Sequence, residues 1–219
     1  MQKIFLSLFI FPFFFGFSQD DSQKYREDQI YFSVYYNSLG GDLDNFKENK
    51  FSSSFNLGFI RDIPLSKSRK FALGIGLGYG LNSFNNNLKL LSNNQNSYSL
   101  LSNRAMPKKN IFNFSEIQIP IEIRWRNSSP TSYKFWRIYA GLKYSKVLKS
   151  SFKHESSIEN YILQSYPINK DQLGLTLNIG FNTWNIGLYK SLRPFFNKKI
   201  SSLPLELEQF KLGLVFYIL

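Results

Sequence analysis

Hydrophobic and polar residues alternate along much of this chain in segments of about ten residues. In the clearest segment, Phe71–Leu81, large apolar residues occupy the odd positions, and alanine and glycine fill all of the even ones. Because successive side chains of a strand point to opposite faces, this alternation predicts β-strands with one apolar face. Eight segments follow the rule: Gln29–Asn37, Ser53–Arg61, Phe71–Leu81, Glu116–Arg126, Phe135–Val147, Gln172–Asn182, Trp184–Lys190 and Gln209–Leu219.

The links between these segments alternate strictly between short and long. Those after the second, fourth and sixth segments are short. The others are long: Ser38–Ser52, Asn82–Ser115, Leu148–Asp171 and Ser191–Glu208. Tight turns at one end and long loops at the other are typical of barrels in the bacterial outer membrane. The sequence therefore predicts an all-β fold, an eight-stranded antiparallel up-and-down transmembrane β-barrel.

Two interpretations of the barrel, a membrane barrel and a soluble cup, differ in the direction in which the apolar face points. In a membrane barrel it points outward to lipid, whereas in a soluble, lipocalin-like cup it lines the interior. Loop alternation and an alternating C-terminal strand favour the membrane barrel, although the last residue, Leu219, is not aromatic. Aromatic residues near predicted strand ends fit the girdle of such barrels: Tyr79, Trp125, Trp136, Phe181 and Trp184.

The first 18 residues have the features of a cleavable signal peptide. Lys3 precedes an almost wholly apolar run that ends in Gly16-Phe17-Ser18, with small residues where a signal peptidase reads. We expect cleavage after Ser18, leaving residues 19–219 as the barrel domain. A transmembrane anchor is the alternative, but the run is short and Pro12 interrupts it. The chain contains no cysteine, so disulfides and thiolate metal sites are excluded.

The formal net charge of +12 bears on the choice of partner. An exported protein does not meet nucleic acid, so we expect contact with outer-membrane lipid and lipopolysaccharide phosphates, unless the basic residues simply solvate loops. The link Asn82–Ser115 is long enough to be functional. Its Arg104, Lys108 and Lys109 are candidates for contact with an envelope protein partner. No cofactor or metal site is expected.

Charged residues fall on the inward face of the fourth and fifth predicted strands: Glu122, Arg124, Arg137 and Lys143. Buried charges require partners, so we expect a structural charge network that closes the lumen. Glycines on the inward face of the third strand either leave room for these side chains or only permit bending: Gly74, Gly76, Gly78 and Gly80. Pro120 removes a ladder donor in mid-strand and predicts a local bulge.

His154 is the only histidine, and Ser156 lies two residues further on, with Glu159 nearby. A lipid A-modifying hydrolase is the enzymatic alternative, with Ser156 as nucleophile, His154 as base and Glu159 as the orienting carboxylate. The segment is rich in serine, lysine and glutamate, which is equally typical of a polar loop. We therefore assign no catalytic residue and expect a protein that is not an enzyme.

The segment Ile117–Arg124 resembles a recurring strand of the PorT-like, porin-family outer-membrane β-barrels of Bacteroidetes, in which a proline also interrupts an apolar middle strand. The following strand, Tyr139–Tyr144, and the glycine-rich strand at Gly74–Gly78 fit the same family. The resemblance implies fold and location, and allows a role in type IX-like protein secretion or motility. A small ligand-binding or transport barrel remains a third alternative.

Overall fold

The computed structural model describes residues 28–218 except 42, 49, 92–96, 103–106, 128–134 and 198–205. The predicted signal peptide, residues 1–18, lies outside the described residues. The strands are β1 (Asp28–Gly40), β2 (Ser53–Pro64), β3 (Phe71–Asn85), β4 (Leu88–Leu90), β5 (Tyr98–Leu100), β6 (Lys109–Arg126), β7 (Trp136–Glu155), β8 (Asn160–Leu163), β9 (Asp171–Phe181), β10 (Trp184–Ser191) and β11 (Glu208–Ile218).

Eight of these strands close into an antiparallel barrel. The hydrogen-bonded order is β6-β3-β2-β1-β11-β10-β9-β7, and pairing of β6 with β7 completes the ring. Once the short β4, β5 and β8 are set aside, neighbouring strands of the ring are consecutive along the chain, except that the first and last strands, β1 and β11, pair with each other. This confirms the predicted eight-stranded up-and-down barrel. Short and long links alternate as expected, so the barrel has a short-turn end and a long-loop end.

The apolar face points outward. Ile30, Leu57 and Leu77 are more than half exposed, whereas the intervening Gln29 and Asn56 are buried inside. The soluble-cup interpretation requires the reverse arrangement and is wrong. At the short-turn end, Trp136 packs on Phe181 at 5.5 Å between ring centroids, in the position expected of an aromatic girdle.

Glycines in β2 and β3 make room for large inward side chains. A Cβ at Gly78 would stand 2.1 Å from the hydroxyl of Tyr31, and one at Gly58 would stand 2.5 Å from its ring. A Cβ at Gly74 would meet the Arg124 side chain at 2.5 Å. Of the two interpretations of these glycines, the structure supports the one in which they leave space.

Replacing Gly78 by alanine should therefore destabilise the barrel by about 1–3 kcal/mol, because the added Cβ overlaps the Tyr31 hydroxyl and forces the ring to shift inside the packed lumen. The matched control is Gly40→Ala, where an added Cβ meets nothing within 4 Å, and its effect should stay within about 0.5 kcal/mol. Urea unfolding followed by tryptophan fluorescence compares the two. Equal stability of the two variants would show that the space left by Gly78 is not needed to accommodate Tyr31.

Two predictions about strand geometry need correction. Pro120 causes no bulge: the register of β6 with β3 is the same at Ile75–Ile121 and at Gly78–Gln118, and only the pairs between them are missing. The Pro120 ring is accommodated because Gly76 opposite has no side chain, and a Cβ there would lie 3.0 Å from Cγ of the proline. The register shift of this barrel occurs instead between β6 and β7, at Ser115/Glu116.

The second correction concerns the long-loop end. Segments expected as loops continue as strands, so that β3 extends to Asn85, β6 begins at Lys109 and β7 extends to Glu155. In these extensions the apolar side chains point inward, as Phe112 and Phe152 do, both with no exposed surface. The prediction that apolar side chains point outward is therefore wrong in the extensions, where the outer face carries polar residues.

Candidate functional site: the filled lumen and its cap

Inward charges of β2 and β6 meet near the short-turn end of the lumen. One oxygen of Asp62 accepts a hydrogen bond from Nη1 of Arg124, and the other accepts one from Nη1 of Arg126 at 3.0 Å. The carboxylate of Glu122 lies 3.6 Å from Nε of Arg124. All four side chains are at most 4% exposed. Two carboxylates and two guanidinium groups thus form a compact cluster without net charge, as burial demands.

Arg137 and Lys143 also lie inside the barrel, and Lys143 is near enough to Glu116 and Glu122 to interact electrostatically with both. Cζ of Arg137 is 4.6 Å from the ring centroid of Phe135, and Nζ of Lys143 is 4.3 Å from that of Tyr189. Neither forms an ion pair with a described residue. Ring faces attract desolvated cations, so these aromatic contacts help to stabilise the two charges inside the barrel. Of the four residues expected in a network, the structure joins Glu122 to Arg124 and gives the other two aromatic partners. The other two members of the cluster, Asp62 and Arg126, were not expected in it.

The rest of the lumen is filled by polar side chains and tyrosines. Nε2 of Gln118 donates to Oδ1 of Asn56 at 2.7 Å, and Nζ of Lys211 donates to Oδ1 of Asn82 at 2.6 Å. A cavity of about 30 Å³ remains in the middle, beside Tyr31. The described lumen therefore holds room for water molecules but not for a solute of metabolite size.

An apolar cap closes the long-loop end. It is built from the inward faces of the strand extensions together with the long loops, and its aromatic rings pack closely, with Phe112 and Phe152 at 4.6 Å between centroids and Phe195 and Phe196 at 4.7 Å. The buried members of the cap are Leu39, Phe84, Leu88, Leu90, Tyr98, Phe112, Phe114, Val147, Phe152, Tyr166, Ile168, Phe195, Phe196 and Leu207. Within the described chain the cap is the largest apolar cluster, and it holds the described parts of the long loops against the barrel.

Polar contacts fasten the β4–β5 hairpin to the β7–β8 hairpin over the cap. Nζ of Lys89 lies 2.6 Å from a carboxylate oxygen of Glu159, and the hydroxyl of Tyr161 donates to the carbonyl of Leu90. The Lys89 side chain is only 15% exposed. These contacts tie together two segments that are far apart in sequence, so the cap behaves as one packed unit.

His154 and Ser156 do not form a catalytic pair. His154 points into the cap, where Nδ1 donates to Oδ1 of Asn110 at 2.9 Å. The orientation of the Asn110 amide is fixed because its Nδ2 donates to the carbonyls of Asn86 and Leu88, each at 2.7 Å. Ser156 lies in the turn beyond β7. Its hydroxyl donates to the carbonyl of Glu159 at 3.1 Å and accepts from the Glu159 amide at 3.0 Å.

Acid should loosen the cap through His154. Burial lowers the pKa of His154 below its ordinary value of 6.5, the Lys89 ammonium lowers it further, and Glu159 opposes the shift. The uncharged rings of Tyr161 and Phe152 complete the surroundings. A depressed histidine pKa means that the folded cap binds the proton less well than the unfolded chain. The cap therefore keeps its full stability above about pH 6.5, and its stability falls as the pH drops from there towards the pKa of His154 in the folded protein.

The measurement is the rate of protease cleavage in the external loops at pH 7.5 and at pH 5. We expect faster cleavage at the lower pH in the wild type and a smaller pH effect in His154→Gln, which cannot titrate. A cleavage rate with the same pH dependence in both proteins would assign the effect to another group.

The candidate partner residues are only partly described. Lys108 and Lys109 both lie 3.2 Å from carboxylate oxygens of Glu155, and Lys153 lies 3.9 Å from the same group. Arg104 lies outside the described residues. Three lysines around one carboxylate leave this part of the outer rim basic.

No group of three histidine, aspartate or glutamate side chains in the described ranges is arranged to hold a metal ion. No helix in the same ranges is long and apolar enough to cross a bilayer.

Comparison with known proteins gives one family match. The family described as "Outer membrane protein beta-barrel domain" matches residues 17–197 of the chain. Two structures of Ail, the attachment invasion locus protein of Yersinia pestis, are similar over 87% of this chain and 97% of theirs. The complex of Ail with the heparin analogue sucrose octasulfate has 13% identity and a TM-score of 0.36, and the other Ail structure has 12% and 0.37. No curated protein matches the chain.

Proposed function

Because the chain belongs to the family of outer membrane protein beta-barrel domains, we propose that it is a non-enzymatic structural or assembly component of an envelope machine. The machine would serve protein secretion of the type IX-like kind, or motility. The barrel lies in the outer membrane, where lipid covers its apolar outer face. Its short turns are periplasmic and its long-loop end faces outside.

The filled lumen is the observation that carries the proposal. A transport barrel needs a path through its interior, whereas here the midpoint retains a cavity of about 30 Å³. Below it lies the cluster around Asp62, and above it lies the apolar cap. Opening such a path would require separating buried ion pairs, which costs several kcal/mol. The barrel therefore has surfaces on which partners can bind, but no path through which a solute can pass.

The positions of His154 and Ser156 support a protein that is not an enzyme. A hydrolase of the serine type needs the base within hydrogen-bonding reach of the nucleophile and access to both from the substrate. His154 is 3% exposed and is bonded to Asn110, while the Ser156 hydroxyl is used within its own turn.

The surfaces available for assembly lie at the outer end. The cap holds the long loops as a packed platform, and the basic rim with Lys108, Lys109 and Lys153 can receive an acidic protein surface or the phosphates of lipopolysaccharide. Arg104 belongs to the same loop. A rigid platform loses little conformational entropy on binding, which suits an assembly role.

The test is recovery of partners from cells. The tagged protein is cross-linked in intact cells, extracted in mild detergent and analysed by mass spectrometry. We expect a stoichiometric set of envelope proteins, reduced in Lys108→Glu/Lys109→Glu and retained in the matched control Lys67→Glu/Lys70→Glu, which reverses two exposed lysines of a periplasmic turn. Recovery of the barrel alone would contradict the assembly role, and altered lipid A in a deletion strain would favour the hydrolase.

A further inference from the structure

A groove of about 510 Å³, with a lining that is partly polar and partly apolar, opens on the outer wall where β2, β3, β6 and β7 leave the apolar zone. The register shift between β6 and β7 lies within this groove. Leu148 is the extra residue on β7, because Glu116 pairs with Val147 and Ser115 pairs with Lys149. The segment before β9 forms the far wall, held there by the hydrogen bond from the Val147 amide to the carbonyl of Lys170 at 2.8 Å.

The lining of the groove is rich in neutral hydrogen-bonding groups. Hydroxyls and amides from four strands and from the segment before β9 converge on it: Ser53, Ser83, Asn113, Ser115, Ser151 and Gln164. Groups of this kind bind the hydroxyl groups of sugars, which both donate and accept hydrogen bonds.

Positive charge at the groove is unopposed. Lys149 and Lys170 line it and are exposed. Neither forms an ion pair with a described residue, and none of the described residues that line the groove is acidic. The nearest carboxylate in sequence, Asp171, is engaged by Lys146 and by the hydroxyl of Tyr144, each at 2.7 Å. Two free ammonium groups beside hydroxyls and amides favour a phosphate.

An apolar groove of about 500 Å³ continues down the same wall. Its side chains are the next outward residues along the same strands: Leu57 follows Phe55 on β2, Tyr79 precedes Leu81 on β3, and Ile117 follows Ser115 on β6. This groove lies in the lipid-covered zone and is lined almost wholly by apolar surface. The two grooves together place a recess with two lysines and several hydroxyl and amide groups directly above an apolar groove on the membrane-facing wall.

We propose that these two grooves form a binding site for one phosphorylated glycolipid of the outer leaflet, of the lipid A class. Lys149 and Lys170 hold a phosphate, the hydroxyls and amides contact the sugar, and an acyl chain lies along the apolar groove. The site is separate from the basic rim with Lys108, Lys109 and Lys153. It does not depend on the assembly role, since the isolated barrel should bind the lipid equally well.

The test is native mass spectrometry of the purified barrel in detergent, titrated with lipid A and, separately, with lipid A from which the phosphates have been removed. We expect one lipid A per barrel and an affinity about tenfold lower in Lys149→Glu/Lys170→Glu, because two charge-assisted contacts become repulsive. The dephosphorylated lipid should bind the wild type as weakly as lipid A binds the variant. Lys67→Glu/Lys70→Glu carries the same change in net charge and should bind like the wild type.

A steric variant separates the groove from charge alone. Ser83→Trp fills the recess without altering net charge and should also weaken lipid A binding, while the shift in gel mobility between heated and unheated samples verifies that each variant is folded. The proposal is overturned if Lys149→Glu/Lys170→Glu or Ser83→Trp binds lipid A as the wild type does. It is also overturned if removal of the phosphates has no effect. A negative result for lipid A binding would not affect the interpretation of the partner-recovery experiment, and failure to recover partners would not affect the lipid A site.

Discussion

Asp62→Asn will lower the free energy of unfolding of the barrel by about 3–5 kcal/mol, because it leaves two buried guanidinium groups facing an uncharged amide. Asp62 is 0% exposed, and its partners Arg124 and Arg126 are each 1% exposed. Glu122 remains near Arg124 but, at 3.6 Å from Nε, does not replace the lost contacts. Urea titration of the protein refolded in lipid vesicles, followed by tryptophan fluorescence, measures the difference.

Asp28→Asn is the matched control. Asp28 also pairs with an arginine, Arg61, at 2.8 Å, but these side chains are 36% and 58% exposed. Exposed ion pairs contribute at most about 1 kcal/mol, so this variant should differ little from the wild type. Removing one charge from the buried cluster, as in Asp62→Asn/Arg126→Gln, should recover part of the lost stability. Equal losses for Asp62→Asn and Asp28→Asn would mean that water reaches the cluster around Asp62.

Phe112→Ala will open the cap without unfolding the membrane barrel. Phe112 has no exposed surface and contacts Phe152, Tyr166 and Phe196 at ring-centroid distances of 4.6, 5.1 and 5.6 Å. Removing a buried ring costs about 3–5 kcal/mol, enough to raise cleavage of the external loops by about 100-fold or more when cleavage follows the open population. Limited proteolysis of whole cells measures the cleavage rate.

Phe51→Ala is the control for that experiment, since Phe51 is 70% exposed and its removal leaves no cavity in the cap. The heat-dependent gel mobility of both variants should match the wild type, because neither residue lies among the lipid-covered strand segments. Loss of the folded band in Phe112→Ala would mean that cap and barrel unfold as one unit, and unchanged cleavage would mean that the cap does not hold the loops.

The barrel itself could be predicted from sequence because lipid and lumen impose opposite chemistry on alternate residues. The alternation of apolar and polar residues predicted eight strands, their order and the direction of the apolar face. It failed above the membrane, where water replaces lipid outside. There Phe112 and Phe114 face inward, and nothing in the local composition marks the residue at which the outer environment changes.

The candidate sites were harder to predict because they depend on partners distant in sequence. Glu122 and Arg124 could be assigned to the lumen by position alone, but their neighbour Asp62 lay one residue beyond the predicted end of its strand at Arg61. Continuing the inward alternation from Ser54 and Asn56 by a few residues would have found it. The groove at Lys149 follows from one extra residue, Leu148, in a strand pair, and such a bulge has no signature in this sequence.

The most direct test of the closed lumen is single-channel recording from the purified barrel in planar bilayers, with a porin reconstituted in parallel as the positive control. We predict that the barrel inserts and produces no conductance steps, because the ion-pair cluster, the packed midpoint and the apolar cap block the interior. Discrete steps of uniform size from the wild-type protein would contradict this account and support a transport function.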